Sequence, residues 1–101
     1  MYELDDLSSK VLDVVDGIPV GRVLSYGDIA EIVGIGPRQV GKIMATVGHL
    51  TAWWRVVRSD GSSHLVDRAV HYWDLENIAH NGKRVFMKES RWGCDFSKFV
   101  L

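Results

Sequence analysis

Ser25 and Asp28, three residues apart, are followed by Gly34 and then by Gly36-Pro37, and this punctuation leaves the middle of the chain little choice of fold. A hydroxyl caps the start of a helix while a carboxylate three residues on caps back, which predicts a helix opening at Ser25. Gly34 supplies the left-handed stop that other residues resist, and Pro37 suits the first position of a second helix, where its missing N–H costs nothing. Between these marks Ile29, Ile32 and Val33, then Val40, Ile43, Met44 and Val47, fall at helical spacing. Two short helices joined by Gly34-Ile35-Gly36 have the form of a helix-turn-helix, whose second member enters a groove in proteins that bind DNA. On that second helix Arg38, Gln39 and Lys42 are left facing outward. Helical hairpins also occur in proteins that touch no DNA, so this pattern alone leaves both readings open.

Around this unit, Leu4, Leu7, Val11, Leu12, Val14 and Val15 recur with helical period up to Gly17 and predict an amphipathic first helix. Ile18-Pro19-Val20-Gly21 reads as a turn. Trp53 to Val57 reads as a short strand, and Ser59-Asp60-Gly61-Ser62 as the turn of a hairpin. On an alternating strand Trp53 and Trp54 cannot both be core, so at least one faces a pocket or solvent. Arg68 to His80 reads as a helix with Ala69, Tyr72, Trp73, Leu75, Ile78 and Ala79 on its apolar side, ended by Asn81-Gly82 before a strand-like Arg84 to Met87. Glu89 to Leu101 carries no assignable pattern. The expected fold is mostly α with a small β-hairpin, a winged helix-turn-helix-like unit, and 101 residues make residues 1–101 one domain.

The net charge of −1 argues against a nucleic-acid binder, yet no Asp or Glu occurs between Ile32 and Ser59, where Arg38, Lys42, Arg55 and Arg58 lie. A local positive face on a nearly neutral protein would meet phosphates in a salt-dependent way. A lone cysteine, Cys94, excludes a disulfide framework and a thiolate zinc site within the chain. His49, His64, His71 and His80 form no metal-binding pair at close helical spacing, so neither metal nor cofactor is expected. The acidic start and the shortness of every apolar run predict a soluble, cytoplasmic protein without membrane association.

The blocks I18-P-V-G-R-V-L-S-Y-G-D-I-A-E-I-V-G, P37-R-Q-V-G-K-I-M and W53-W-R-V-V-R-S-D-G, in this order, resemble the DNA-binding domain of the O6-alkylguanine-DNA alkyltransferases. The resemblance spans about Leu4 to Gly82. Those enzymes carry Pro-Cys-His-Arg-Val, in which a cysteine takes the alkyl group, a histidine draws off its proton and a later glutamate orients the histidine. Here the block is Ala52-Trp53-Trp54-Arg55-Val56: Trp53 stands in the cysteine's place, Trp54 in the histidine's, and alignment of Ala79-His80-Asn81-Gly82 puts Asn81 at or near the glutamate. An indole can neither accept an alkyl group by this chemistry nor act as the base. Nothing around Cys94 resembles the missing machinery. A tryptophan in place of the reactive cysteine is the mark of the alkyltransferase-like proteins, small proteins that bind alkylated guanine without repairing it. Ala52 and Trp54 depart from that group, most of which keep the proline and the histidine, and the loop Val47-Gly48-His49-Leu50-Thr51-Ala52 is shorter than in the enzymes.

The resemblance implies a division of labour. Arg38 would fill the stack vacated by a flipped base, Tyr26 would push the target phosphate round, and Trp53 would line the lesion pocket with Trp54 as its neighbour. The carbonyls of Trp53 and Val56 would accept the guanine amine, and Arg68 would lie near the lesion oxygen. Ser59 and the amides at the Pro37 end of the second helix would hold phosphates, Gly41 would allow close backbone approach, and Gln39, Lys42 and Arg55 would add DNA contacts. The expected protein is a non-enzymatic monomer that flips O6-alkylguanine in duplex DNA and flags it for nucleotide excision repair proteins, with Trp92, Phe96 and Phe99 in the tail as a partner surface. The alternatives are a winged-helix regulator reading undamaged sequence, an enzyme, either a transferase built on Cys94 or a hydrolase of the lesion, and an interaction module without DNA affinity.

Overall fold

The computed structural model describes residues 5–93; Leu4, Cys94, Phe96 and Phe99 lie outside them. The Asp5 carboxylate caps the first helix by accepting from the Ser8 amide, and α1 (Asp6–Gly17) buries Val11, Leu12 and Val15. A two-residue strand β1 (Leu24–Ser25) runs directly into α2 (Tyr26–Val33). The predicted capping box is present: Ser25 Oγ accepts from the Asp28 amide and Asp28 Oδ2 from the Ser25 amide, each at 3.0 Å. Gly34 ends α2 at φ +88°, and α3 (Pro37–Val47) begins on proline. Val40, Met44 and Val47 of α3 are buried with Ile29 and Ala30 of α2 against α1, and together with Leu24 and Val56 they make the first core.

Two single 3₁₀ turns, Gly48–Leu50 and Trp53–Arg55, lead into β2 (Val56–Val57). The expected strand over Trp53–Val57 therefore exists only in its last two residues. Nor is it a hairpin arm. β2 pairs parallel with β1, Leu24 opposite Val56 and Ser25 opposite Val57. The Ser59-Asp60-Gly61-Ser62 turn does form, with Asp60 Oδ1 accepting from the Ser62 amide, but the returning chain bridges Arg84 at Ser62 instead of running back along β2. The small sheet is thus built from non-local partners.

The next helix, α4, runs Val66–Leu75 and not Arg68–His80. Its end is set by Asn77, which adopts φ +57°. The Ile78 amide donates to the Trp73 carbonyl and the Asn77 amide to the Asp74 carbonyl, which is the paired closure of a Schellman motif with asparagine at its left-handed position. Leu75, expected on the apolar side, is consequently 66% exposed, while Ile78 beyond the helix is buried. Ala69, Trp73, Ile78, Val85, Val57 and Val23 form a second core, and Trp53 packs against both. Asn81 and Gly82 make the following turn, Asn81 Oδ1 accepting from the Lys83 and Arg84 amides. Arg84 and Val85 contribute isolated bridges, and Met87 opens the short helix α5 (Met87–Ser90) where a strand was expected to continue.

The chain after α5 is sewn to the start of the helix-turn-helix. The Val23 amide donates to the Ser90 carbonyl and the Trp92 amide to the Val23 carbonyl. Arg91 Nε donates to Asp28 Oδ2 at 3.0 Å. Trp92, expected in an exposed tail, is half-buried against the first core.

Candidate nucleic-acid interface

α3 opens on proline, and Pro37, Arg38, Gln39 and Lys42 are all exposed there. Arg38, Lys42 and Ala45 are four and three residues apart, so they share one helical stripe. That stripe is about 10 Å long at ~1.5 Å per residue. Gln39 is partly committed, since its Oε1 accepts from the Gly36 amide at 3.0 Å. At Gly41 an added Cβ would meet nothing within 4 Å, so packing within the described residues does not require glycine there.

Ala45, at the far end of the stripe, is on the rim of a cavity of about 250 Å³. This is just below the ~300–1,000 Å³ of sites that hold drug-sized ligands, and suits a single small ring system with a short substituent. Tyr26, Met44, Trp53 and Val56 make its walls; Ser63, His64 and Leu65 enter from the turn before α4, Arg68 from its first turn, and His49 from the first 3₁₀ turn. Four of the six residues expected at the lesion, Tyr26, Trp53, Val56 and Arg68, thus line one cavity. Arg38 stands outside it at the other end of α3. Tyr26 is half-buried, and desolvation pushes its phenol above the ordinary value despite the pull of Arg58. The Trp53 carbonyl accepts from the Val56 amide within its own turn, which leaves that oxygen one further lone pair.

Trp54 and Arg55 are turned away. A 3₁₀ turn rotates each residue by a third of a circle, so while Trp53 reaches the cavity, Trp54 stacks on Tyr72 with centroids 4.0 Å apart and planes 10° from parallel. Its Nε1 donates to Glu76 Oε2 at 2.7 Å, and its carbonyl accepts from Trp73 Nε1. Arg55, expected on DNA, instead forms an ion pair with Glu76 (Nη2 to Oε2, 2.8 Å) and donates through Nη1 to the Ile18 carbonyl. Burial would raise the Glu76 carboxyl, but Arg55, the Gly21 amide and Trp54 together hold it below the usual range. Glu76, not Asn81, is therefore the acid against this block; Asn81 is exposed and occupied with its own turn. The signal for it was present: an acid placed where asparagine next to it can end a helix. Reading that helix through to His80 concealed it.

Ser59 is exposed in a separate depression beside Asp60, Arg84 and Lys88. Of the histidines, His71 packs edge-on to Tyr72, and His80 lies 2.6 Å from Asp74 Oδ1; His49 and His64, with Met44, Ala45 and Leu65, are cavity residues that the sequence reading did not single out.

Residues 6–77 match the family described as "6-O-methylguanine DNA methyltransferase, DNA binding domain". Alkyltransferase-like protein 1 of Schizosaccharomyces pombe is 41% identical over 63 residues, a stretch covering 58% of each chain. A protein of Escherichia coli named "DNA base-flipping protein" is 35% identical over 69 residues, 64% of this chain and 54% of that one. The alignment thus spans little more than half of either relative. A crystal structure of S. pombe Atl1 with damaged DNA containing O6-carboxymethylguanine superposes with a TM-score of 0.77 at 29% identity, over 91% of this chain and 99% of that one.

Proposed function

The chain belongs to the family of the DNA-binding domain of 6-O-methylguanine DNA methyltransferases, and on that footing we propose that it is a non-enzymatic sensor of O6-alkylguanine in duplex DNA. The observation that carries this reading is Trp53. It presents an indole to the cavity at the position where the resemblance places a reactive thiol, and its neighbour Trp54 offers only an N–H, already given to Glu76. The cavity has an aromatic wall for a base and neither a nucleophile at 53 nor a base at 54.

In the proposed mechanism the exposed stripe of α3 enters the groove and Arg38 occupies the gap left by the extruded nucleotide. Turning a base out costs a few kcal/mol, less where alkylation has weakened its pairing. Contact with Trp53 returns roughly 1–3 kcal/mol. Tyr26, at the start of α2, bears on the phosphate of the turned nucleotide. The protein acts as a monomer in the cytoplasm and marks the site for excision repair.

Tryptophan-fluorescence titration with two duplexes, one containing O6-methylguanine opposite cytosine and one unmodified, tests this. The modified duplex is expected to bind at least about tenfold tighter, a preference of ~1.4 kcal/mol, and Arg38→Ala to remove the preference. Equal binding would make the chain a reader of ordinary sequence; label transferred from methyl-labelled DNA to the protein would make it an enzyme.

A further inference from the structure

β1 and β2 are parallel, with Leu24 opposite Val56 and Ser25 opposite Val57. Parallel neighbours leave a sheet at the same end, about 4.8 Å apart, so the next residue of each chain segment, Tyr26 and Arg58, emerge side by side. The two side chains sense each other: burial pushes the Tyr26 phenol up, and the Arg58 charge pulls against it. Tyr26 lines the cavity with Val56, whereas Arg58 is exposed and is not part of the lining. Among the described residues the Arg58 guanidinium forms no ion pair, and its hydrogen bond is a long one, from Nη1 to Ser62 Oγ at 3.4 Å. Asp60 does not claim it: Oδ1 accepts from the Ser62 amide and hydroxyl, and Oδ2 stands 3.7 Å from Arg84 Nε. Hydrogen bonds from Ser62 hold the Asp60 carboxyl low, with smaller pulls from Arg84 and Arg58. Ser59, the phosphate contact that the resemblance implies, lines a different depression with Arg84 and Lys88.

Resting on the reading that Tyr26 bears on the phosphate of a nucleotide turned into the cavity, we propose that Arg58 grips that same phosphate, one oxygen accepting from the Tyr26 hydroxyl and another from the guanidinium. A base held against Trp53 leaves its phosphate outside the cavity, where Arg58 stands beside Tyr26. A phenol supplies one hydrogen bond and no charge. A guanidinium supplies both, in a planar fork that fits two phosphate oxygens. In an unmodified duplex Arg58 meets the backbone as a charge alone, and only the turned phosphate comes within its hydrogen-bonding reach. Arg58 thereby acts on the turning of the nucleotide as well as on attraction to DNA.

Methylphosphonate, which removes the charge of a single linkage, locates the contact. Duplexes with O6-methylguanine carry it immediately 3′ of the modified guanine, immediately 5′ of it, or well away from it. For the unaltered protein one of the two flanking substitutions is expected to weaken binding about tenfold, the lower end for hydrogen bonds to a charged group. Arg58→Gln binds the all-phosphate duplex about tenfold weaker and loses less than about twofold more at that linkage, while the distant substitution affects both proteins alike. It costs the unmodified duplex less, so the preference narrows. Arg58→Gln and Tyr26→Phe together cost less than the product of their separate losses, because both meet one group. The proposal is overturned if neither flanking linkage matters, or if Arg58→Gln still loses about tenfold at the sensitive one. It is overturned equally if Arg58→Gln weakens modified and unmodified duplexes alike, or if the two substitutions combine as a strict product. If the unaltered protein shows no preference for O6-methylguanine, the lesion-sensing reading fails first and this one with it.

Discussion

Glu76→Ala is expected to destabilise the fold by about 3–5 kcal/mol, the range for removing one partner of a buried ion pair. The side chains of Arg55 and Glu76 are only 13% and 10% exposed. Oε1 accepts from the Gly21 amide at 3.1 Å and from Arg55 Nε at 2.9 Å, and Oε2 from Trp54 Nε1 and Arg55 Nη2. Truncation leaves the Arg55 guanidinium with the Ile18 carbonyl as its remaining hydrogen-bond acceptor and the Trp54 ring beside it, and frees the Trp54 and Gly21 donors. For a domain of ~5–15 kcal/mol total stability this is a large share, and at ~4–8 °C per kcal/mol Tm falls by at least about 12 °C. Urea unfolding followed by tryptophan fluorescence reads it. Glu76→Ala/Arg55→Met, which removes the stranded charge, is expected to recover ~1–3 kcal/mol of coupling. A loss below about 1 kcal/mol for Glu76→Ala, or strict additivity of the pair, would refute the reasoning. The pH dependence follows from the depressed carboxyl. A group whose folded pKa lies below its unfolded value contributes fully above the unfolded value, ~4.3 for glutamate, and loses that contribution as pH falls through the folded one. The urea midpoint of the unaltered protein should therefore drop below about pH 4.5, and that of Glu76→Gln should drop less steeply.

Asp28→Asn should cost about 1.5–3 kcal/mol, the worth of hydrogen bonds to a charged group. Burial raises the Asp28 carboxyl, but Arg91 and Ser25 outweigh it and hold it low, so it adds to the same acid-side loss, checked by repeating the pH series on this variant. Gly61→Ala should be far worse than Gly34→Ala, although both glycines have φ +88°: a Cβ at 61 would stand 2.1 Å from the Val85 carbonyl oxygen, while one at 34 meets nothing within 4 Å. The second should cost only the ~1–2 kcal/mol of a left-handed residue, and denaturant unfolding of both variants separates clash from strain. If Lys42 and Arg58 each meet a phosphate, log affinity for any duplex should fall against log salt with a slope near −0.9 per contact, about −2 in all. Titration of Lys42→Ala at four salt concentrations should find the slope less steep by roughly one.

The local signals in the sequence carried as far as local physics reaches. Ser25 with Asp28, Gly34 and Pro37 each act within four residues of themselves, and the helix-turn-helix stands where they put it. The strand reading of Trp53–Val57 failed because β-propensity records what suits a pleated surface, whereas here the surface on offer was the two residues of β1, from a segment some thirty positions earlier. Nothing near Trp53 encodes that partner. The α4 boundary failed for a different reason: Ile78 keeps the apolar spacing and is buried, but by a Schellman closure and not by a further helical turn. Periodicity alone cannot separate these. For the site, Tyr26, Trp53, Val56 and Arg68, which the family resemblance singles out, line one cavity. The directions of Trp54 and Arg55 depended on Glu76, whose approach is a tertiary event.

That approach bears on chemistry as much as on stability. A carboxylate has about four lone-pair sites, and Glu76 has four donors on them: the Gly21 amide, the Trp54 indole and two nitrogens of Arg55. It has no acceptor capacity left with which to orient a base, and the residue it does orient is donor-only. The same bonds hold Trp54 flat on Tyr72 and, through the turn it shares, hold Trp53 edge-on to both rings at 5.9 and 5.8 Å. The face of the cavity is therefore fixed by the network that leaves position 54 without a base. A thiol placed at 53 alone would lose the aromatic wall and find no proton acceptor at 54, so substitution at that single position is expected to weaken binding without creating transfer by this pair. Fluorescence titration and methyl-label transfer with Trp53→Cys would read the two effects separately, and transfer at an appreciable rate would mean that His49 or His64, which line the same cavity, had taken the proton instead.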